Sequence, residues 1–218
     1  MQLHCFRLSG HSHRVRLFLS ILGLAHQTIE VDLPSRAHKT PAHLRLNPFG
    51  QVPVLVDGET VIADSTAILV YLAKRYAPPG WLPDDPAGAA RVQRWLSVAS
   101  GEVAHGLAAA RQIVLFGLPR EPDEAIARAH ATLAVLDAEL ARQDWLAGEA
   151  PSIADLALYA YVERAPEGNV ERSAHANVSR WLRRVEALPG FVPFPRSPVG
   201  LDAPERAARE AHGLAAGR

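Results

Sequence analysis

The sequence predicts an α/β N-terminal domain followed by an all-helical C-terminal domain, and three observations point there. Short β-rich runs alternate with helical periodicity over residues 1–76, a segment dense in proline follows at 77–86, and beyond it, over 87–218, the strand signals largely vanish. The length of 218 residues suits one large domain or two small ones. A composition of 48% hydrophobic and 21% charged residues is ordinary for a chain that builds a packed core.

Residues 2–8 are short, apolar and bounded by Ser9-Gly10, which predicts a strand entering a turn. Val15, Leu17, Phe18, Ile21 and Leu22 then recur at helical spacing, with Gly23 placed to stop the helix. Residues 28–32 read as a second strand closed by Pro34, and 35–47 as a looser segment with room for a short helix. Two β-rich runs, 52–56 and 60–62, flank Asp57-Gly58, a hairpin signature. A helix over Ser65–Tyr76 follows, so the order is βαβ and then ββα, which predicts helices packed on a four-stranded sheet. After the 77–86 linker, helices are expected over 87–116, 123–141, 152–163 and 178–188. The tail beyond Pro189, rich first in Pro and Gly and then in Ala, Arg and Glu, is expected to pack loosely or fray.

Charge and cysteine count exclude several functions. Lys+Arg and Asp+Glu both number 23, whereas a nucleic-acid binder needs a basic excess or a concentrated basic face. The single cysteine, Cys5, leaves no partner for an internal disulfide, a CxxC redox pair or a cysteine-cluster zinc site, and a reduced, cytoplasmic protein is expected. Residues 1–7 carry no long apolar core, so no secretory leader is expected, and no run is apolar enough for a membrane span.

Four short motifs carry chemistry. Pro53 removes a ladder hydrogen bond, so Val52-Pro53 reads either as an edge strand with a trans proline or as a cis peptide presenting the Val52 backbone to a ligand. Asp64-Ser65 at a helix start reads as a cap, or as a site where the helix N-terminus takes a carboxylate and Asp64 an ammonium group. Ser9-Gly-His-Ser-His-Arg-Val-Arg16 occupies a strand-to-helix turn, where α/β domains place ligands; His11 and His13 there read as exposed turn residues in preference to metal ligands. Ser152 and Asp155 have the spacing of a capping box with Asp in place of the usual Glu.

Taken together, Ser9-x-x-Ser-x-Arg-Val-Arg16, Asn47-Pro-Phe-Gly-Gln-Val-Pro-Val-Leu55, Ile62-Ala-Asp-Ser-x-Ala-Ile68 and Pro151-Ser-Ile-Ala-Asp155 resemble, in order and spacing, a cytosolic glutathione transferase. The resemblance implies a thioredoxin-like N-terminal domain and an all-helical partner. It implies that Val52, before a cis Pro53, pairs its backbone with the cysteinyl part of glutathione, that Asp64 and Ser65 hold the γ-glutamyl end, and that Lys39 and Gln51 lie near the other polar groups. Ser9 falls at the catalytic position of serine-type members, with Ser12 as its rival; no tyrosine stands in the first strand or its turn, and Cys5 lies too early for a cysteine-type enzyme. The implied electrophile site lies between the domains along 87–116, where Glu102 and His105 share a face and Arg111 reads equally well as solvent-facing. A homodimer with glutathione as co-substrate, no tightly bound cofactor and no metal is implied as well. Two alternatives stay open: an isomerase of the maleylacetoacetate type, whose Ser-Ser-Cys-Ser motif here reads Ser-Gly-His-Ser with His11 for the cysteine, and a glutathione-binding protein with little catalysis.

Overall fold

A computed structural model describes residues 1–204. Among these, the strands are β1 (Gln2–Cys5), β2 (Gln27–Glu30), β3 (Val54–Asp57) and β4 (Thr60–Ala63). The α-helices are α1 (Gly10–Ile21), α2 (Pro41–Leu46), α3 (Ser65–Tyr76), α4 (Pro86–Ser100), α5 (Ala109–Phe116), α6 (Asp123–Leu140), α7 (Ile153–Glu163) and α8 (Ala176–Glu186). The chain divides into two compact units. One comprises residues 1–96, 145–160 and 183–195; the other comprises, among the described residues, 97–144, 161–182 and 196–204.

The first unit contains the sheet, in the order β2-β1-β3-β4, with β1 parallel to β2 and antiparallel to β3, and β3 antiparallel to β4. This is the βαβ crossover and hairpin that the alternating pattern predicts. Leu3 stands opposite Leu55, and His4 opposite Val54. Leu3, Cys5 and Leu55 are fully buried, as are Phe18 of α1 and Ile68 and Leu69 of α3, so one apolar layer joins helices to sheet. Burial pushes the Cys5 thiol up to about 11, assisted by Glu30 and opposed by Arg16. That suits a small core side chain and not a nucleophile.

Two local readings are corrected. Pro53 stands one residue ahead of β3, an inner strand, and not within an edge strand; lacking an N–H, it has nothing to give the ladder. The hairpin loop is Gly58-Glu59, so Asp57 is the last residue of β3, and its carboxylate accepts the hydroxyls of Tyr71, at 2.9 Å, and of Tyr76. The 77–86 segment is tied down: Trp81 packs on Phe18 with ring centroids 5.0 Å apart, and its carbonyl accepts the Ile153 N–H at 3.0 Å. At the start of α7 the capping box forms as its spacing predicts. Asp155, fully buried, accepts from the Ser152 N–H at 2.9 Å and the Leu146 N–H at 3.0 Å, while the Ser152 hydroxyl accepts from the Ala154 N–H at 3.2 Å.

The second unit is helical, but the helix expected over 87–116 is not continuous. It breaks after Ser100 and passes through a π-helical turn, Ala104–Ala108, before α5. Gly106 in that turn lies so close to α6 that an added Cβ would stand 3.0 Å from the Ala129 nitrogen. Arg111 is not solvent-facing. It is 1% exposed and donates to the fully buried Glu167 at 2.7 Å. Glu167 also accepts from Arg164 at 3.3 Å and from the Ser197 N–H at 2.9 Å.

The segment after Pro189 is not loose where it is described. In the first unit Phe194 is buried and the Val192 carbonyl is bound by His13 at 2.9 Å. In the second, the Ser197 amide is held by Glu167. The Ala-, Arg- and Glu-rich remainder, 205–218, lies outside the described residues.

Candidate functional site

Ser9 is the N-cap of α1. With extended backbone (φ −86°, ψ 119°) it leaves the strand-turn, and its Oγ accepts the Ser12 N–H at 3.2 Å. Ser12 is fully buried, and its Oγ accepts the Phe6 N–H at 3.2 Å. The two candidate hydroxyls therefore differ: Ser9 is half-buried at the mouth of the turn, whereas Ser12 sits under it as a structural acceptor. No acidic residue stands in the first turn of α1, so nothing there offsets the positive end of its dipole.

His11 and His13 are not exposed turn residues. His13 is fully buried, packed on Phe194 with centroids 4.9 Å apart, and His11 is partly buried. No group of three His, Cys, Asp or Glu side chains arranged to hold a metal occurs among the described residues. His11 is pushed down to about 3, first by burial and then by the Arg14 charge, with Asp64 pulling the other way, so its ring is neutral at ordinary pH.

Asp64 and Ser65 open α3 beside this turn. Arg14, 1% exposed, donates to Ser65 Oγ at 3.1 Å, and His11 Nδ1 lies 3.5 Å from the same oxygen. One buried guanidinium thus joins the two helix N-termini. Asp64 holds φ at 75°, a conformation that L-residues adopt at a cost. Its carboxylate accepts from the Thr66 and Ala67 N–H groups at 2.8 and 3.0 Å and from the Thr66 hydroxyl at 2.5 Å. Burial raises its pKa, but those hydrogen bonds and the Arg14 charge outweigh it, and the group lies below the usual carboxylate range.

The Val52-Pro53 peptide is cis. The loop before it is held from inside. Asn47 Oδ1 accepts the Phe49 N–H at 3.1 Å, Lys39 donates to the Phe49 carbonyl at 2.9 Å, and the Gln51 carbonyl receives both His43 Nε2 and Asn47 Nδ2 at 3.0 Å. Gly50 (φ 58°) has no room for a side chain, since a Cβ would stand 2.8 Å from the His38 carbonyl and 2.9 Å from Lys39. Lys39, at the end of the 3-10 turn Ala37–Lys39, therefore reaches the loop that carries the exposed Gln51 side chain and Val52.

All three segments lie within one region that matches a known family. The family profile described as "Glutathione S-transferase, N-terminal domain" matches residues 8–75, and "Glutathione S-transferase, C-terminal domain" matches 112–189. The chain belongs to the glutathione S-transferase family. The maize protein "Glutathione S-transferase 3" is 35% identical over 217 residues, covering 91% of this chain and 97% of that one. A "Maleylacetoacetate isomerase" of Pseudomonas aeruginosa is 31% identical over 199 residues, covering 88% and 93%. The crystal structure of a glutathione S-transferase from Pseudomonas fluorescens superposes with a TM-score of 0.83 at 33% identity, covering 89% and 98%.

As a glutathione S-transferase, the protein has the thioredoxin-like N-terminal fold with a helical C-terminal domain, and glutathione is its co-substrate. In the second unit, Glu102 is exposed and pairs with Arg128 at 3.3 Å, and His105 is exposed in the π-turn. The structure sets Ser9 and Ser12 at the start of α1, Asp64 and Ser65 at the start of α3 and Val52 just before β3, and the residues that organise these segments carry little sequence signal. Arg14 falls within the Ser9–Arg16 run, and its burial is invisible in helical spacing; His43 carries no sequence signal at all.

Proposed function

We propose that this glutathione S-transferase is of the serine type, with Ser9 donating a hydrogen bond to the sulfur of bound glutathione. The carrying observation is exposure: each hydroxyl accepts one backbone N–H at 3.2 Å and so keeps its proton to give, but Ser12 is fully buried whereas Ser9 is half-buried at the start of α1. A free thiol near pKa 8.5 is only about 3% ionised at pH 7, and the thiolate is the nucleophile. A hydroxyl donor and the positive end of α1 both favour the anion. The thiolate then attacks a small, largely apolar electrophile, forming the C–S bond as the leaving group departs or the π-system takes the electron pair. Asp64 and Ser65 take the γ-glutamyl end, Val52 and cis Pro53 the cysteinyl backbone, and Lys39 and Gln51 the remaining polar groups. On the second unit, Glu102 and His105 are the proposed electrophile-side residues.

Retention on immobilised glutathione together with turnover of an aryl halide tests this reading. Retention without turnover reduces the protein to a binder, and absence of both refutes it. A second reading, isomerisation of maleylacetoacetate type, is favoured by the identity to proteins of that name and opposed by His11 at the place of the motif cysteine. Turnover of that substrate by His11→Cys but not by the native chain assigns the native chain to transfer. We further propose a cytoplasmic homodimer, in keeping with the lone buried cysteine and the family; light scattering at the 23.6 kDa monomer mass refutes the dimer.

A further inference from the structure

We infer that His43, acting with Asn47, is a positioning residue that aims the Val52 amide at the ligand; this rests on the reading that Val52 pairs with the cysteinyl backbone of glutathione. The Gln51 carbonyl and the Val52 N–H belong to one peptide plane and point in opposite directions across it. Fixing the carbonyl inward therefore fixes the N–H outward. Both lone pairs of that carbonyl are taken, by His43 Nε2 and by Asn47 Nδ2, each at 3.0 Å. The two donors are themselves 6% and 3% exposed, so water does not replace them at low cost.

His43 is held in turn. It lies on α2, whose start is capped by the Thr40 hydroxyl, and its ring meets that of His4 edge-on at 6.3 Å. His4 lies on β1 directly opposite Val54, two residues beyond Val52. The sheet, α2 and the loop thus close a circuit around the Gln51-Val52 peptide. A carbonyl oxygen only accepts, so His43 must carry its proton on Nε2. Both His43 and Asn47 act through the direction of one peptide and not by touching glutathione.

The test compares His43→Leu and His43→Met, which remove the donor, with His43→Gln, which returns an N–H to nearly the same place. Calorimetric titration with glutathione should show about fivefold weaker binding for Leu and Met and less than twofold for Gln. The kcat at saturating glutathione and the KM for the electrophile should stay at native values, a split that general loosening does not produce. Nitrogen NMR of the native protein should find His43 protonated on Nε2. Native affinity in the Leu and Met variants, affinity in the Gln variant as weak as theirs, or an Nδ1–H tautomer in the native protein overturns the inference. Failure of the native chain to bind glutathione while His43 still carries its proton on Nε2 overturns instead the reading of function on which it rests.

Discussion

Replacing Ser9 by alanine removes two things with separable magnitudes. One is the N-cap of α1, whose loss costs about 1 kcal/mol of stability. The other is the proposed hydrogen bond to an anionic sulfur, worth about 1.5–3 kcal/mol, which corresponds to about one to two pKa units of the bound thiol. Below the native pKa of bound glutathione the thiolate fraction should fall about ten- to a hundredfold, and the deficit should shrink toward unity as pH rises past the variant's own pKa. A purely structural loss has no such pH dependence. Ser12→Ala provides the contrast: it strips the part-buried Phe6 N–H of its acceptor and should cost about 1 kcal/mol or somewhat more of stability while leaving the pH profile in place. The assays are kcat/KM against pH with an aryl halide and the thiolate absorbance of the binary complex, both on variants shown to be folded. A silent Ser9→Ala beside an inactive but folded Ser12→Ala refutes the assignment.

Three other outcomes are expected. Because His11 is neutral down to about pH 3 in the folded chain but takes up a proton near 6.5 when unfolded, stability should be unaffected above that range and fall with acidification below it, with a slope approaching about 1.4 kcal/mol per pH unit. His4 and His38, also lowered chiefly by burial, add in the same sense, so urea melts at stepped pH should show His11→Asn losing about one proton's share of the slope; an unchanged slope contradicts the reasoning. Arg111→Ala takes from the buried Glu167 carboxylate the closer of its two guanidinium partners, leaving Arg164 at 3.3 Å, and should cost less than the about 3–5 kcal/mol of a fully orphaned buried charge but more than Arg128→Ala, which breaks the exposed pair with Glu102 and should cost less than about 1 kcal/mol. Asp155→Ala orphans the Leu146 and Ser152 N–H groups and should lower stability by about 2–5 kcal/mol in calorimetric melts.

The sheet was legible because its strands are short, its apolar positions are spaced unambiguously, and Asp57-Gly58 marks the hairpin to within one residue. The capping box at Ser152 and Asp155 was legible for the same reason: it is local. What was hidden is set by distant partners. Periodicity over 87–116 shows no break, since the π-turn answers to the approach of Gly106 to α6. Arg111 looks solvent-facing until Glu167 lies beside it, and His13 looks like a turn residue until Val192 and Phe194 close over it. In the candidate site, residue types point to the proposed ligand-facing groups, while Arg14 and His43, which tie those segments together, are held by contacts that spacing does not encode.

The bond from His13 to the Val192 carbonyl, across 179 positions, has a bearing on how the protein is made. The turn that carries Ser9 leaves the ribosome well before Val192 and Phe194, which close over His13. Until roughly Pro195 has been translated, α1 exposes an imidazole and an apolar face built for partners not yet synthesised, a high-contact-order arrangement that a nascent chain must carry uncovered. Cutting the gene after residue 76 accordingly yields no self-sufficient glutathione-binding cassette, and transplanting the site means carrying the distant segments 145–160 and 183–195 along with it.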